Sequence, residues 1–277
     1  MRETSKFCEV VGYPMKVSCL HDLCDLAEFR TVELGKLTKE DIRAYCLGGR
    51  FLVDDVYREI IDRKRNFGDL YPFHVSNQVI STSANISYKL CLRTIFLNSN
   101  FTSGYFERFV GIILSTYFGD GTKVLHCGTN NADKPTSFWE TITWISEHMR
   151  VPEGSRVRPS RLKDGGVDSI VWKAPPDGRS GFPVMLGQST VQAELKSKCK
   201  DIDRRMWSSW LTMDVDPIVA LATPRFILDQ LDFEEMSVNS MILDRLRLSA
   251  MQSSEMESEI NDLCSSMNQS AKLFLNG

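Results

Sequence analysis

Two neighbouring stretches decide the fold: Gly165-Gly166-Val167-Asp168-Ser169-Ile170-Val171-Trp172 and Pro183-Val184-Met185-Leu186-Gly187-Gln188-Ser189-Thr190. Each contains an apolar run of strand length, and the turn-forming residues 174–181 between them favour a hairpin. The two glycines lead into Asp168 at the start of the first strand, and Gln188 ends the second. An acid and an amide are therefore expected at the ends of adjacent strands.

Helices and strands alternate on both sides of this hairpin. Upstream, Tyr105–Leu114 has the pattern of a buried helix carrying one acid, 123–128 that of a strand, and Ser137–Met149 that of an amphipathic helix. Downstream, Glu194–Trp210 is predicted to be a helix and Pro217–Pro224 a buried strand. This order predicts an α/β (α+β) fold, a mixed sheet flanked by helices.

The chain divides into three expected segments. Residues 1–100 form a mostly helical N-terminal module, 101–235 form the α/β core, and 236–277 form a C-terminal helix and tail. In the last segment the helix is predicted around Met241–Leu248, and a polar segment follows it.

Several local signals support a helical N-terminal module. Thr38 is expected to cap a helix, with Asp41 reaching back from the third helical position. Apolar residues recur at helical spacing in Asp54–Ile61, and Tyr88–Leu97 is a strongly apolar helix candidate. Tyr71–Val75 is expected to be extended, because proline restricts the residue before it.

The amino-acid composition is that of an ordinary globular protein. Of its 277 residues, 42% are hydrophobic and 25% are charged, and this composition excludes a chain that is mainly disordered. No apolar run approaches the ~18 residues that span a bilayer, and no signal-peptide pattern opens the chain. We therefore expect a cytoplasmic protein with no membrane partner. The net charge of −3 means that any nucleic-acid contact must come from a local patch or a partner subunit.

The hairpin residues have the chemistry of a metal site that acts on phosphodiesters. Asp168 offers a carboxylate, and the Gln188 side chain or the Ser189 carbonyl offers a neutral oxygen. Glu107 on the preceding helix can complete the ligand shell. Mg²⁺ (or Mn²⁺) prefers such oxygen ligands, and a lysine nearby can offset charge that develops on a phosphate.

At these residues the chain resembles the PD-(D/E)XK nuclease superfamily, and within it the Mrr-like restriction endonuclease branch, where glutamine replaces the usual second acid. The resemblance covers roughly residues 104–225. It rests on the following residues: Phe106, Glu107, Val110, Gly165, Gly166, Val167, Asp168 and Gln188.

This resemblance implies a restriction-endonuclease-like mixed sheet and Mg²⁺-dependent DNA cleavage in restriction or anti-phage defence. It also implies that the protein binds DNA and other subunits of a defence system. A homodimer is expected if both strands are cut, because that usually needs two sites. By this resemblance, Asp168 is expected to be the main metal ligand, Gln188 to lie in the position of the second acid, and Glu107 to be an accessory acid.

The chain departs from the family at Thr190, where the family has its catalytic lysine two residues after the glutamine. Threonine cannot carry the charge. Lysines follow at Lys196, Lys198 and Lys200 on the predicted next helix, and only one or two of them can face inward. Lys198 is the preferred substitute, and Lys196 is the second choice.

Two other functions stay open at this point. The chain can be a catalytically inactive nuclease-like scaffold that binds a protein partner or nucleic acid, which Thr190 and the acidic balance favour. It can also be a nucleotide-sensing or RNA-cleaving variant of the same fold, because one fold hosts many functions.

Overall fold

A computed structural model of the chain describes residues 19–46, 51–97, 99–128, 131–155 and 165–276, with side chains at 99–101 and 271–276 left aside. The chain divides into two compact units, one formed by Met1–Thr102 with Cys264–Gly277 and the other by Ser103–Leu263. Within the described ranges, no helix combines the length and apolar character that a membrane span requires.

The first unit combines helices with a small antiparallel sheet. The helices are α1 (Leu20–Leu34), α2 (Lys39–Cys46), α3 (Val53–Phe67) and α4 (Ile86–Phe96), and the strands are β1 (Lys36–Thr38), β2 (Phe73–Ser76) and β3 (Val79–Thr82). The strand order is β1-β3-β2. Of these strands the sequence interpretation included only β2, so it missed the sheet.

Local interactions set the predicted start of α2 and the end of α3. The Thr38 amide donates to Oδ2 of Asp41 at 2.8 Å, and the Asp41 amide donates to Oγ1 of Thr38 at 3.3 Å. This reciprocal cap starts α2 at Lys39. Helix α3 ends at Phe67, where Gly68 has a φ of 55° that interrupts the helical backbone.

A buried ionic network centres on Arg63 of α3. Its guanidinium, 1% exposed, donates to Asp25 at 3.1 Å and to Glu28 at 2.7 Å, and both acids are buried on α1. Glu28 also accepts hydrogen bonds from the hydroxyls of Tyr71 and Tyr88. Buried charges are costly unless they are paired, so Arg63 offsets the burial of two carboxylates in the core of this unit.

The second unit is built on a mixed five-stranded sheet in the order β4-β5-β6-β7-β8. Its strands are β4 (Lys123–His126), β5 (Ser169–Trp172), β6 (Val184–Ser189), β7 (Ile218–Ala222) and β8 (Met241–Leu243). The first three pair antiparallel, and β6, β7 and β8 pair parallel. The mixed sheet flanked by helices confirms the predicted fold class.

Helices cover both faces of this sheet. On one face lies α5 (Ser99–Ser115), close enough that a methyl group at Gly187 would come 2.7 Å from Cδ1 of Leu114. On the other face, α6 (Phe138–Met149) and α7 (Arg204–Trp210) pack their aromatic and aliphatic residues on the strands. Strands buried on both sides read as continuous apolar runs, as β5 does.

Two predicted elements are wrong in their details. The helix expected over Glu194–Trp210 begins only at α7, where Asp203 caps it, and Lys198–Lys200 forms one 3₁₀ turn. The helix expected around Met241–Leu248 is instead β8 followed by α9 (Arg245–Ala250), capped by Asp244. The described chain also contains α8 (Gln230–Ser237) and α10 (Glu257–Asn276).

The role of Arg63 predicts a large effect on stability. Arg63→Met keeps an apolar stem but leaves Asp25 and Glu28 buried without their cation, which costs about 3–5 kcal/mol. We expect a loss of this size in the free energy of unfolding, measured by urea denaturation. Arg65→Met is the control, because Arg65 pairs with Asp62 on the surface, where a pair contributes about 0–1 kcal/mol. Equal effects of the two substitutions would contradict the assignment.

Candidate functional site

One edge of the five-stranded sheet collects the residues that the sequence singles out. Strands β4 and β6 both run antiparallel to β5, and β7 and β8 run parallel to β6. Four strands therefore end at the edge where β5 begins. Asp168 lies immediately before β5, and Gln188 lies near the end of β6.

The Gly165–Gly166 turn fixes the start of β5. Both glycines have positive φ, 61° and 80°, a region that favours glycine. Nε1 of Trp207 donates to the Gly165 carbonyl at 3.2 Å. A methyl group at Gly165 would come 2.9 Å from the Trp207 ring, and one at Gly166 would come 3.2 Å from the Asp201 carbonyl. The turn is therefore held against α7 and the segment that precedes it.

Asp168 connects the ends of three strands. Its carbonyl accepts from the amides of Cys127 and Gly128, at 2.7 and 3.1 Å, and its amide donates to the Gly187 carbonyl at 2.9 Å. Its carboxylate Oδ2 accepts from the Ser189 amide at 2.7 Å. These bonds orient the carboxylate at the sheet edge, where the residue is half-buried.

Glu107 reaches the same point from helix α5. A methyl group at Gly128 would collide with the Glu107 carboxylate and would come 3.7 Å from Oδ1 of Asp168. Both carboxylates therefore face the small space left by the missing side chain of Gly128. The structure brings together the acid on the helix and the acid before β5.

Gln188 takes part in a second cluster on the same edge. Its amide nitrogen donates to Oδ2 of Asp201 at 3.1 Å, and Nζ of Lys198 donates to the same oxygen at 2.9 Å. With its nitrogen engaged by Asp201, the Gln188 amide presents its oxygen as the atom that can bind a cation. Asp201 is a site residue that sequence reasoning missed, because a lone acid after a lysine-rich segment reads as a surface charge.

Thr190, two residues after Gln188, has a structural role. It is buried, its amide donates to the Ala222 carbonyl at 2.9 Å, and its hydroxyl accepts from the Gln192 amide at 3.2 Å. The residue therefore helps to join the end of β6 to β7. It supplies no charge to the site.

The lysines that follow Gln188 have different positions. Nζ of Lys196 contacts Asp232 at 2.7 Å and Glu235 at 2.8 Å, both on α8. The hydrogen bonds that Lys196 donates, chiefly the one to Asp232 and then the one to Glu235, raise the pKa of Lys196. Lys200 is exposed. Of the three lysines, only Lys198 shares a bonding partner with Gln188.

The donor set at this edge fits a hard divalent cation. Two carboxylates face one space beside Gly128, and the Gln188 oxygen and the Ser189 carbonyl lie on the adjoining strand end. The Ser189 hydroxyl is buried without a hydrogen-bond partner among the described residues. In the described part of the chain, no three His, Cys, Asp or Glu side chains converge. Neutral oxygens would therefore have to complete the shell.

Lys134 is a second residue that sequence reasoning missed. It lies in the loop after β4, and its Nζ donates to the Cys127 carbonyl at 2.8 Å. The same loop is held to the end of β4 by the Asn131 side chain, which donates to the His126 carbonyl at 2.8 Å. The only signal in the sequence was its position shortly after a strand that ends at this edge.

His126 does not add positive charge to the edge. Its ring faces Gly111 of α5, where a methyl group would come 2.6 Å from Cε1. Burial, together with the nearby Arg108, lowers the pKa of His126 below its ordinary range. The shift favours the neutral form of the ring.

Comparison with protein-family models, with curated proteins and with solved structures gave no match to this chain.

The glycine turn gives a test of how the site is positioned. In Gly165→Ala, the new methyl meets Trp207 in a tightly packed region, and overpacking costs about 1–3 kcal/mol. Gly178→Ala is the matched control, because Gly178 has a φ of 71° but nothing lies within 4 Å of an added methyl. We expect Gly165→Ala to lower the free energy of unfolding by that additional amount, measured by chemical denaturation. Equal losses would show that Trp207 does not hold the turn.

Proposed function

We propose that the chain is a metal-dependent nuclease that hydrolyses phosphodiester bonds of DNA. The observation that carries the proposal is the convergence of the Glu107 and Asp168 carboxylates beside Gly128, on the sheet edge that also holds Gln188. Two carboxylates from separate elements that face one small space, with neutral oxygens on the adjoining strand end, form the kind of ligand set that a divalent cation binds. A site that binds such a cation explains why both acids face this point.

The residues that would hold Mg²⁺ or Mn²⁺ are Asp168 and Glu107, with the oxygen of Gln188 and the carbonyl of Ser189. A bound divalent ion supplies neutralisation of phosphate charge and favours ionisation of a water molecule. Asp168 is held for this role by the Ser189 amide, which binds one carboxylate oxygen and leaves the other facing Glu107.

Hydrolysis adds one water molecule across a P–O ester bond. The water oxygen forms the new bond to phosphorus and loses a proton, and the departing oxygen gains a proton as its bond to phosphorus breaks. The reaction consumes no oxidant or reductant. It requires groups that stabilise negative charge on the phosphate, and fixed cations in a partly buried site do this without reorganisation.

Cations at the same edge support an anionic substrate. Loops from the ends of β6 and β7 carry Lys198, Lys200 and Arg225. Lys200 is exposed, Lys198 contacts Asp201, and Nε of Arg225 donates to the Val191 carbonyl at 3.3 Å. A local set of this kind is what a chain with a net charge of −3 needs to bind a polyanion.

The biological setting follows from the resemblance to Mrr-like nucleases. In this proposal the protein is a cytoplasmic enzyme of restriction or anti-phage defence, acting on foreign DNA with other subunits of its system. Cleavage of both strands would use two copies of the site, and so a homodimer.

A second candidate is a catalytically inactive scaffold with the same fold. Two observations favour it: Thr190 is buried where the family has lysine, and Lys196 is engaged by Asp232 and Glu235. Such a protein would bind DNA or a protein partner without cutting. The two candidates differ in one property, metal-dependent turnover.

Plasmid nicking distinguishes the candidates. We expect cleavage of supercoiled plasmid in Mg²⁺ or Mn²⁺ and none in EDTA. Asp168→Asn and Glu107→Gln, which keep the size of each side chain, should lower the rate by about 10²-fold or more, the loss typical of removing one charged group from a preorganised site.

Asp177→Asn is the control for these variants, because Asp177 is an exposed acid in the β5–β6 hairpin. Its cleavage rate should equal that of the wild type. A folded wild type that cuts neither in Mg²⁺ nor in Mn²⁺ would refute the nuclease and favour the scaffold. Cleavage that survives in Asp168→Asn would refute the assigned site.

Asp201 should act as a positioning residue. Asp201→Asn removes the charge that binds both Gln188 and Lys198 and keeps the side-chain volume. Residues that orient metal ligands typically contribute about 10–100-fold to metal affinity or activity. We expect a loss in this range in the same assay, with an unchanged melting temperature. An unaltered rate would show that the cluster around Asp201 is structural.

A further inference from the structure

We propose that Lys134 is the catalytic amine of this site, the group that contacts the phosphate beside the Asp168 and Glu107 carboxylates. This inference rests on the proposed nuclease function. It differs from the expectation from sequence, which looked for the amine in the segment after Gln188.

The peptide group between Cys127 and Gly128 shows where the Lys134 amine lies. Nζ of Lys134 lies 2.8 Å from the carbonyl oxygen of Cys127. The described residues contain no cis peptide bond, and in a trans peptide the carbonyl oxygen and the following Cα lie on the same side of the C–N bond. The following residue is Gly128, against which the Glu107 carboxylate packs. Lys134 therefore approaches the peptide that borders both acids.

Backbone hydrogen bonds hold the described residues that precede Lys134. The amides of Cys127 and Gly128 donate to the Asp168 carbonyl at 2.7 and 3.1 Å. The peptide group whose carbonyl binds Lys134 is therefore hydrogen-bonded directly to the backbone of Asp168. Beyond it, the Asn131 amide donates to the Gly128 carbonyl at 3.2 Å. Rigid support of this kind is what a catalytic side chain requires.

Lys198 occupies a different part of the edge. Its amine lies 2.9 Å from Oδ2 of Asp201, the oxygen that also binds Gln188. Lys134 instead lies against the peptide that borders both acids. Lys134 is therefore better suited to offset charge that develops on a phosphate, and Lys198 helps to position Gln188.

The first test compares cleavage rates. Lys134→Met should lower kcat by about 10²-fold, the scale of losing one stabilising group in the transition state, and Lys134→Arg, which keeps the charge, should retain more activity. Lys173→Met is the matched control. Nζ of Lys173 also donates to a backbone carbonyl, that of Phe118 at 2.9 Å, but Lys173 follows the end of β5 at the opposite edge of the sheet.

A second readout does not depend on activity. Lysines carrying ¹³C-methyl groups give separate NMR signals, which Lys134→Arg and Lys173→Arg assign. Mn²⁺ bound at Asp168 and Glu107 should broaden the Lys134 signal more strongly than that of Lys173. The difference should disappear in Asp168→Asn.

The outcomes separate this inference from the proposed function. Cleavage by the wild type that is lost in Asp168→Asn but unchanged in Lys134→Met would overturn the role of Lys134 and leave the nuclease standing. Equal broadening of Lys134 and Lys173 would overturn it as well. A wild type without cleavage would overturn both. A lower kcat in Lys134→Met, with unchanged melting temperature and selective broadening, is the expected result.

Discussion

The hydrogen bonds of Asp168 are the constraint on which the second unit depends. Through its backbone this residue joins the end of β4 to the start of β5 and the end of β6, and through its carboxylate it binds the Ser189 amide. Asp168 links the strands through its backbone and offers its carboxylate as a candidate metal ligand. The fold and the site therefore depend on the same residue. The backbone hydrogen bonds fix the main chain of Asp168, and the Ser189 amide orients its carboxylate.

The glycines near Asp168 make this arrangement sterically possible. Gly165 and Gly166 adopt positive φ against Trp207 and Asp201, so the chain can turn sharply into β5. Gly128 provides the space in which the Glu107 carboxylate lies. Small residues thus allow the close approach of charged groups that would otherwise be separated, and a bound cation would stabilise that approach.

Sequence reasoning predicted the parts of this unit that depend on local chemistry. The hairpin, the turn before Asp168 and the helix carrying Glu107 follow from turn residues and periodicity. The segment after Gln188 did not, because its lysines suggested a continuing helix, whereas the Asp203 cap starts α7 later. Short apolar runs are ambiguous between strand and helix, which explains β8. The placement of Lys134 depends on tertiary contacts with the end of β4, and no local pattern encodes such contacts.

The central claim is that Glu107 and Asp168 form a divalent-cation site, and crystals soaked in Mn²⁺ test it most directly. The account predicts an anomalous difference peak between the two carboxylates, within coordination distance of the Gln188 oxygen or the Ser189 carbonyl. It also predicts that the peak is absent in Asp168→Asn. A peak elsewhere, such as at Asp232 and Glu235, or no ordered Mn²⁺ in the wild type would contradict the account.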